Sequence, residues 1–116
     1  MVNSQCTDKE PCSKGRTLPN DEEIVRVSNL LKVLGEPSRM KIVLALLQGE
    51  MCVFHIVEAV KGTQSAVSHQ LRILKDNNIV KCTRKGQMIT YSIADGHVEE
   101  IVKTAWEHLN CKGEEE

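Results

Sequence analysis

The fold of this chain is decided by residues 61–72, KGTQSAVSHQLR. The pair Lys61-Gly62 predicts a tight turn, and the side chain of Thr63 can cap a helix that runs from Gln64 to Lys75. Apolar residues recur at i, i+4 and i+7 and form the inward face of this helix. These residues are Val67, Leu71 and Leu74. The opposite stripe is small and polar and consists of Ser65, Ser68, His69 and Arg72.

A short helix from about Cys52 to Val60 precedes this turn, so two helices are joined by a glycine turn. This order is typical of a helix-turn-helix, in which the second helix enters the major groove of DNA and presents polar side chains to base edges. An ordinary amphipathic helix with a solvated face has the same pattern, and the pattern alone leaves both readings open.

Two runs that alternate with a period of two follow the helix, and they predict a β-hairpin over residues 80–93. Its tip carries Arg84 and Lys85, where they can meet phosphates or a minor groove. Cys82 is expected to point inward as a small core residue. A helix-turn-helix followed by a hairpin with a basic tip predicts a winged helix, within a mainly α-helical domain over residues 21–111.

The first two helices supply much of the core. Acidic residues follow Asn20 at the start of the first helix, which is expected to end near Gly35. Pro37 opens a second helix that is apolar all round and therefore buried. The chain contains one Phe, one Tyr and one Trp, so its core must be aliphatic.

The last helix carries two stripes at helical spacing. The apolar stripe, which is expected to pack on the core, consists of Val98, Val102, Ala105 and Leu109. Beside it lie the metal-ligand types His97, His108 and Cys111, with Asp95 at the start of the helix. His97 and His108 are roughly 16 Å apart along one helix, too far to hold one ion. An antiparallel copy across a two-fold axis would bring His97 of one subunit beside His108 and Cys111 of the other. The alternative is that these side chains are merely solvated.

The distribution of charge and the cysteine content indicate the kind of partner and the cellular compartment. The net charge of −1 hides a basic segment over residues 61–85, which is a candidate phosphate-facing surface. No apolar run approaches the length of a membrane span, and neither a span nor a signal peptide is expected. Five cysteines without a secretory signal favour reduced thiols in the cytoplasm. Residues 1–20 are predicted to form a flexible arm that holds Cys6 and Cys12, which are either idle thiols or ligands, and residues 112–116 an acidic tail.

Three segments closely resemble the ArsR/SmtB family: LGEPSRMKI at 34–42, QSAVSHQL at 64–71, and RKGQ at 84–87 followed by Tyr91-Ser92. The likeness covers residues from about 21 to 111. The family consists of dimeric winged-helix repressors that leave their operators when a metal or another effector binds. The resemblance therefore implies a winged helix-turn-helix that dimerises through its first and last helices and binds a palindromic operator.

The resemblance also implies a metal site on the last helix. Asp95 and His97 match the family's Asp-x-His pair, and His108 matches the third ligand, which comes from the other subunit. Cys111 stands where the zinc sensors place His or Glu, which makes the site softer. Zinc is the leading metal for this donor set, with cobalt and cadmium as alternatives.

A second family site uses the N-terminal arm and the start of the third helix. Members that sense cadmium, lead or arsenic carry Cys-Val-Cys there, whereas this chain reads CVFH over residues 52–55 and lacks the second thiol. Cys52 and His55 are three residues apart on a helix and can share an ion. Cys6 or Cys12 of the other subunit could complete this second site.

These features predict a repressor whose metal-free dimer binds DNA and whose metal-bound form releases it. The residues expected to face the operator are Gln64, Ser65, Ser68, His69, Arg72, Arg84 and Lys85. A thiol-redox-sensing repressor of the same fold, using pairs among Cys6, Cys12 and Cys52, is the alternative, together with cadmium- or lead-type sensing through the arm and Cys52. An enzyme is not expected, because no residue supplies a base beside an open metal position.

Overall fold

The computed structural model describes residues 17–111, which form five helices and a small sheet. The elements in chain order are α1 (Asp21–Leu34), α2 (Pro37–Leu46), β1 (Met51–Cys52), α3 (Val53–Val60), α4 (Gln64–Asp76), β2 (Val80–Lys85), β3 (Met88–Ile93) and α5 (Gly96–Cys111). The predicted mainly helical fold with a hairpin is confirmed. Within these residues, no helix has the length and apolar character needed to cross a bilayer. Most of the predicted arm, residues 1–16 with Cys6 and Cys12, lies outside the described residues, as does the predicted tail at 112–116.

Polar side chains begin three of the helices. Asn20 forms a capping box with Glu23, so that each side chain accepts a hydrogen bond from the backbone N–H of the other residue. Glu36 caps α2 by accepting from the N–H of Arg39 at 3.0 Å, directly before Pro37. Thr63 caps α4 as predicted and accepts from the N–H of Ala66 at 3.2 Å. The Thr63 cap defines where α4 begins.

The core lies where α2, α3 and α4 meet the base of the hairpin. The most deeply buried side chains are Ile42, Val43, Ile56, Leu71, Leu74 and Ile79. All are aliphatic, as the scarcity of aromatic residues required. Burying each such side chain stabilises the fold by about 1.5–3 kcal/mol relative to exposure.

The sheet has three strands in the order β1-β3-β2, all antiparallel. The hairpin of β2 and β3, which we call the wing, is the predicted one, with Val80 opposite Ile93 at its base and Lys85 opposite Met88 at its tip. The sequence analysis missed β1, in which Met51 pairs with Tyr91 and Cys52 with Thr90. Through β1, the start of α3 is attached directly to the wing.

Two expectations about inward-facing residues are wrong. Cys82 is exposed, because only Val80 of β2 lies over the core while the rest of the strand projects beyond it. In α5, Val98 and Val102 are buried, but Ala105 is exposed and Leu109 retains 68% of its accessible surface. The second half of α5 therefore extends past the core of its own chain.

Candidate DNA-binding face and metal ligands

Helix α4 has one buried and one solvent-facing side. Val67, Leu71 and Leu74 are at most 3% exposed, as their spacing predicted. The residues predicted to face an operator on this helix are all exposed, namely Gln64, Ser65, Ser68, His69 and Arg72. Packing of the buried side fixes the rotation of α4 about its axis. The exposed hydroxyl, imidazole and guanidinium groups therefore share a rigid surface that contains no core residue.

A hydrogen-bonded bridge that sequence analysis missed holds α4 against α1 and α2. The guanidinium of Arg39 donates from Nη1 to Oε1 of Gln70 at 3.1 Å and from Nε to the carbonyl oxygen of Val33 at 2.8 Å. The amide Nε2 of Gln70 donates to Oγ of Ser38 at 3.3 Å, and that hydroxyl donates to the carboxylate of Glu36. The only signal in the sequence was the stretch EPSR at 36–39, in which an acid precedes a helix that begins with proline.

The carboxylate of Glu36 is held in its ionised form. The hydroxyl of Ser38 and then the backbone N–H of Arg39 donate hydrogen bonds to it, and both lower its pKa below the ordinary value of 4.5. The charge of Arg39 acts in the same direction. The hydrogen-bonded bridge that reaches Gln70 on α4 therefore starts from an ionised carboxylate, that of Glu36.

The two basic residues at the wing tip have different surroundings. Both Arg84 and Lys85 are exposed, as predicted. However, Nζ of Lys85 lies 2.6 Å from Oε2 of Glu50, whose other oxygen accepts a hydrogen bond from Oγ1 of Thr90 at 3.3 Å. Among residues 17–111, Arg84 has no carboxylate within ion-pair distance. The hydrogen bond and charge of Lys85 lower the pKa of Glu50, so this carboxylate is ionised at neutral pH.

The exposed thiol of Cys82 lies opposite Tyr91 on the wing. Burial raises the pKa of the Tyr91 phenol above 10.0, and the neighbouring thiol of Cys82 raises it further. The phenol therefore stays neutral throughout the neutral range.

Asp95 and His97 lie together at the start of α5, as predicted. Oδ1 of Asp95 accepts from the backbone N–H groups of His97 at 3.0 Å and Val98 at 3.4 Å, and Nδ1 of His97 lies 3.4 Å from the same oxygen. Partial burial raises the pKa of Asp95, but the hydrogen bonds from Val98 and His97 outweigh it and leave the pKa below 3.8. An ionised carboxylate therefore lies next to an imidazole that is 86% exposed.

The other two predicted ligands lie at the far end of α5. His108 and Cys111 are both exposed and three residues apart, which places them on the same side of the helix. Within residues 17–111, no three His, Cys, Asp or Glu side chains come together as a metal site. Each chain thus offers one ligand pair at each end of α5. The donor types, one carboxylate, two imidazoles and one thiol, suit tetrahedral zinc when pairs from two chains combine.

The second predicted site is partly formed. Sγ of Cys52 lies 3.4 Å from Nδ1 of His55, across the first turn of α3. Cys52 is half-buried and His55 is exposed. Cys6 and Cys12, which were expected to complete this site, lie outside the described residues.

Comparisons with known proteins agree with this geometry. Residues 36–81 match the family described as bacterial regulatory protein, arsR family. The chain is 38% identical over 88 residues to a transcriptional repressor SmtB homolog of Synechocystis sp., spanning 76% of this chain and 67% of the relative. It is 35% identical over 83 residues to a cadmium resistance transcriptional regulatory protein CadC homolog of Staphylococcus aureus, spanning 71% of this chain and 69% of the relative.

The fold has relatives of known structure. The homodimeric winged helix-turn-helix DNA-binding domain Mb0332 from Mycobacterium bovis matches with a TM-score of 0.68 at 28% identity, over 84% of this chain and 94% of that one. The winged helix-turn-helix predicted from residues 52–93 is thereby confirmed.

Proposed function

Because this chain belongs to the ArsR family of bacterial regulatory proteins, we propose that it is a dimeric, metal-responsive transcriptional repressor of the cytoplasm. The metal-free dimer binds a roughly palindromic operator, and binding of zinc at the last helix weakens that complex. Cobalt and cadmium are the alternative metals. The observation that carries the proposal is the placement of two predicted ligand pairs at opposite ends of α5, a helix whose second half leaves its apolar residues exposed.

DNA recognition is assigned to the exposed side of α4 and to the wing. Ser65, Ser68 and His69 are short polar side chains suited to base edges, whereas Arg72 suits a phosphate. The complete set that we assign to the operator face is Gln64, Ser65, Ser68, His69, Arg72, Arg84 and Lys85. Since the buried side of α4 fixes its rotation, all the helical members can meet one groove together.

Dimerisation through α1 and α5 is supported by their exposed apolar residues. In α1 the exposed set is Ile24, Val25, Val27 and Leu31, and in α5 it includes Trp106 and Leu109. A shallow apolar groove follows α5 between Ile101 and Leu109. Exposed apolar surface on two helices, beyond the residues that each contributes to the core, indicates an interface with a second copy. A two-fold dimer would present two copies of α4 to half-sites about one DNA turn apart.

Metal binding is assigned to Asp95 and His97 of one subunit together with His108 and Cys111 of the partner subunit. When bound, zinc would supply a tetrahedral link between two chains that are otherwise joined by apolar contacts. The hydrogen bonds from His97 and Val98 keep Asp95 ionised and aimed along the start of α5. Operator affinity falls if the metal-linked dimer fits the DNA-bound arrangement of the two chains less well than their DNA-free arrangement. Couplings of this kind are typically about 1–3 kcal/mol.

A cobalt titration of the reduced protein tests this assignment. Operator duplexes are first selected from a random-sequence library with the metal-free protein, and cobalt absorption then reports tetrahedral geometry and a thiolate ligand. We expect His97→Ala to lose both tight binding and metal-dependent DNA release. His55→Ala is the matched control and should retain both. If His97→Ala still binds metal and still releases DNA, the assignment to α5 is wrong.

A second candidate function is sensing at Cys52 and His55, by a soft metal or by thiol oxidation. The 3.4 Å contact between their side chains favours it, because an imidazole beside a thiol promotes both metal ligation and oxidation. The similarity to a cadmium resistance regulator adds support. Cys6 or Cys12 would complete either site. A metal response that is abolished by Cys52→Ser but not by Cys111→Ser would favour this alternative. An effect of oxidant that persists with chelator present would favour the thiol form.

A further inference from the structure

Glu50 lies at the base of the wing and binds it at two points. This residue immediately precedes β1, which pairs with β3. One carboxylate oxygen, Oε2, lies 2.6 Å from Nζ of Lys85 near the wing tip. The other, Oε1, accepts the hydroxyl of Thr90, which is 8% exposed. The hydroxyl of Thr90, which also lies 3.4 Å from the carbonyl oxygen of Thr83, helps to orient the carboxylate that pairs with Lys85.

The carboxylate of Glu50 binds the ammonium group of Lys85 in the same way that a DNA phosphate would bind it. Both anions present oxygen acceptors to an ammonium group, and one ammonium cannot give its full charge to both. The pair is accessible, since Lys85 retains 56% and Glu50 46% of side-chain exposure, so a phosphate can reach it. The neighbouring Arg84 has no such competitor among residues 17–111.

We propose that Glu50 is an affinity-determining residue that competes with DNA phosphate for the ammonium of Lys85. The proposal rests on the DNA-binding part of the proposed function and is independent of the metal response. At the wing tip, Arg84 has no ion-pair partner among residues 17–111 and can meet the DNA backbone directly, whereas Lys85 must give up its pair with Glu50 to do so. Glu50 thereby weakens binding to all DNA sequences alike, because it acts on a phosphate contact rather than on a base contact.

The substitution Glu50→Gln tests the competition. Glutamine keeps an oxygen that can accept the hydroxyl of Thr90 and removes the negative charge, which acts mainly on Lys85 and more weakly on Lys81. The probe is a mixed-sequence DNA duplex of about 30 base pairs, roughly three helical turns, with the dissociation constant measured over a range of salt concentrations. Exposed ion pairs shift an equilibrium by about 1.5- to 5-fold, and we expect Glu50→Gln to bind tighter by that factor. Release of Lys85 to one further phosphate should steepen the slope of log affinity against log salt by about 0.9.

Two controls separate competition for Lys85 from a general loss of negative charge. Glu58→Gln removes an exposed acid on α3 and should change affinity less than Glu50→Gln does. In a Lys85→Met background, Glu50→Gln should lose most of its tightening, because only the weaker interaction with Lys81 remains. The proposal is overturned if Glu50→Gln binds no tighter than wild type, if Glu58→Gln tightens binding equally, or if the full tightening persists without Lys85. Failure of the wild-type protein to bind the duplex would refute DNA binding itself, and the proposal with it.

Discussion

Arg39 and Gln70 are joined by a hydrogen bond of 3.1 Å that ties helix α4 to helix α2. The same guanidinium donates to the carbonyl oxygen of Val33 in the last turn of α1. Arg39 therefore links a helix assigned to dimerisation with the helix assigned to the operator. A rearrangement between subunits would have, in this bridge, a direct physical route to the face that we assign to the operator.

Removing the bridge should lower stability. Gln70→Met keeps the length of the side chain and its helix propensity but eliminates the contacts to Arg39 and Ser38. Each lost hydrogen bond is worth about 0.5–1.5 kcal/mol, so we expect the free energy of unfolding in urea to fall by roughly 1–3 kcal/mol. Gln48→Met, an exposed position after α2, is the control and should change it by less than about 0.5 kcal/mol. Equal stability of the two variants would contradict this account.

The Glu36 cap of α2 should make the stability of the fold depend on pH in the acidic range. The folded pKa of Glu36 is lowered from 4.5, so its carboxylate contributes fully above pH 4.5 and loses that contribution as the pH falls through the lower folded pKa. Glu36→Gln should therefore show a flatter loss of melting temperature below pH 4.5 than wild type. Glu107→Gln, on the exposed side of α5, should follow the wild-type curve. Parallel acid limbs for wild type and Glu36→Gln would show that the cap is not ionised in the way described.

Tyr91, the single tyrosine, should also make the stability of the fold depend on pH, but here stability is lost as the pH rises. Burial and then Cys82 raise the folded pKa of Tyr91 above 10.0, so the neutral phenol stabilises the fold below pH 10 and this contribution disappears at higher pH. Ultraviolet absorption should show the phenol ionising at higher pH in the folded protein than in urea. Cys82→Ala should remove only part of the difference, because burial is the larger cause. A folded protein that titrates like the unfolded chain would contradict the burial of this ring.

The dimer face should respond to a polar substitution that leaves the monomer folded. Leu109 is 68% exposed in one chain, so Leu109→Gln should cost the monomer little but weaken dimerisation at least several-fold, by removing apolar area from the interface. Sedimentation equilibrium measures the effect. Phe54→Gln is the matched control, because Phe54 is 65% exposed but lies on α3, outside the dimer face. Equal dimer affinity for both variants would place the interface elsewhere.

Local spacing was sufficient to predict the helices and the wing. Val67, Leu71 and Leu74 recur at helical spacing, and each faces the core because no other side of α4 is apolar. Strand β1 could not be predicted, since two residues carry no periodicity and its strand character comes from pairing with residues about 40 positions later. The same is true of the bridge from Arg39 to Gln70, which joins residues 31 positions apart.

The two incorrect burial predictions concern whether another part of the fold covers a residue. The side of the strand or helix on which each residue lies was predicted correctly. Cys82 lies on the same side of β2 as the buried Val80, but the wing projects past the core, and Cys82 stays exposed among residues 17–111. Leu109 belongs to a real apolar stripe, but α5 extends beyond the helices that bury Val98 and Val102. The ligand types at Asp95, His97, His108 and Cys111 follow from the sequence. Their assembly into one site depends on the arrangement of two chains and stays a prediction.

The most direct test of the central claim uses mixed dimers of His97→Ala and His108→Ala chains. Each variant alone should lack tight cobalt binding, because both sites of its homodimer lose a ligand. In a mixed dimer one site loses both histidines while the other keeps His97 from one chain and His108 from the other. We predict that the purified mixed dimer regains tetrahedral cobalt absorption at about one metal per dimer, and with it metal-dependent release of the operator. If mixing restores neither, the ligands do not combine across the subunits and the intersubunit site is wrong.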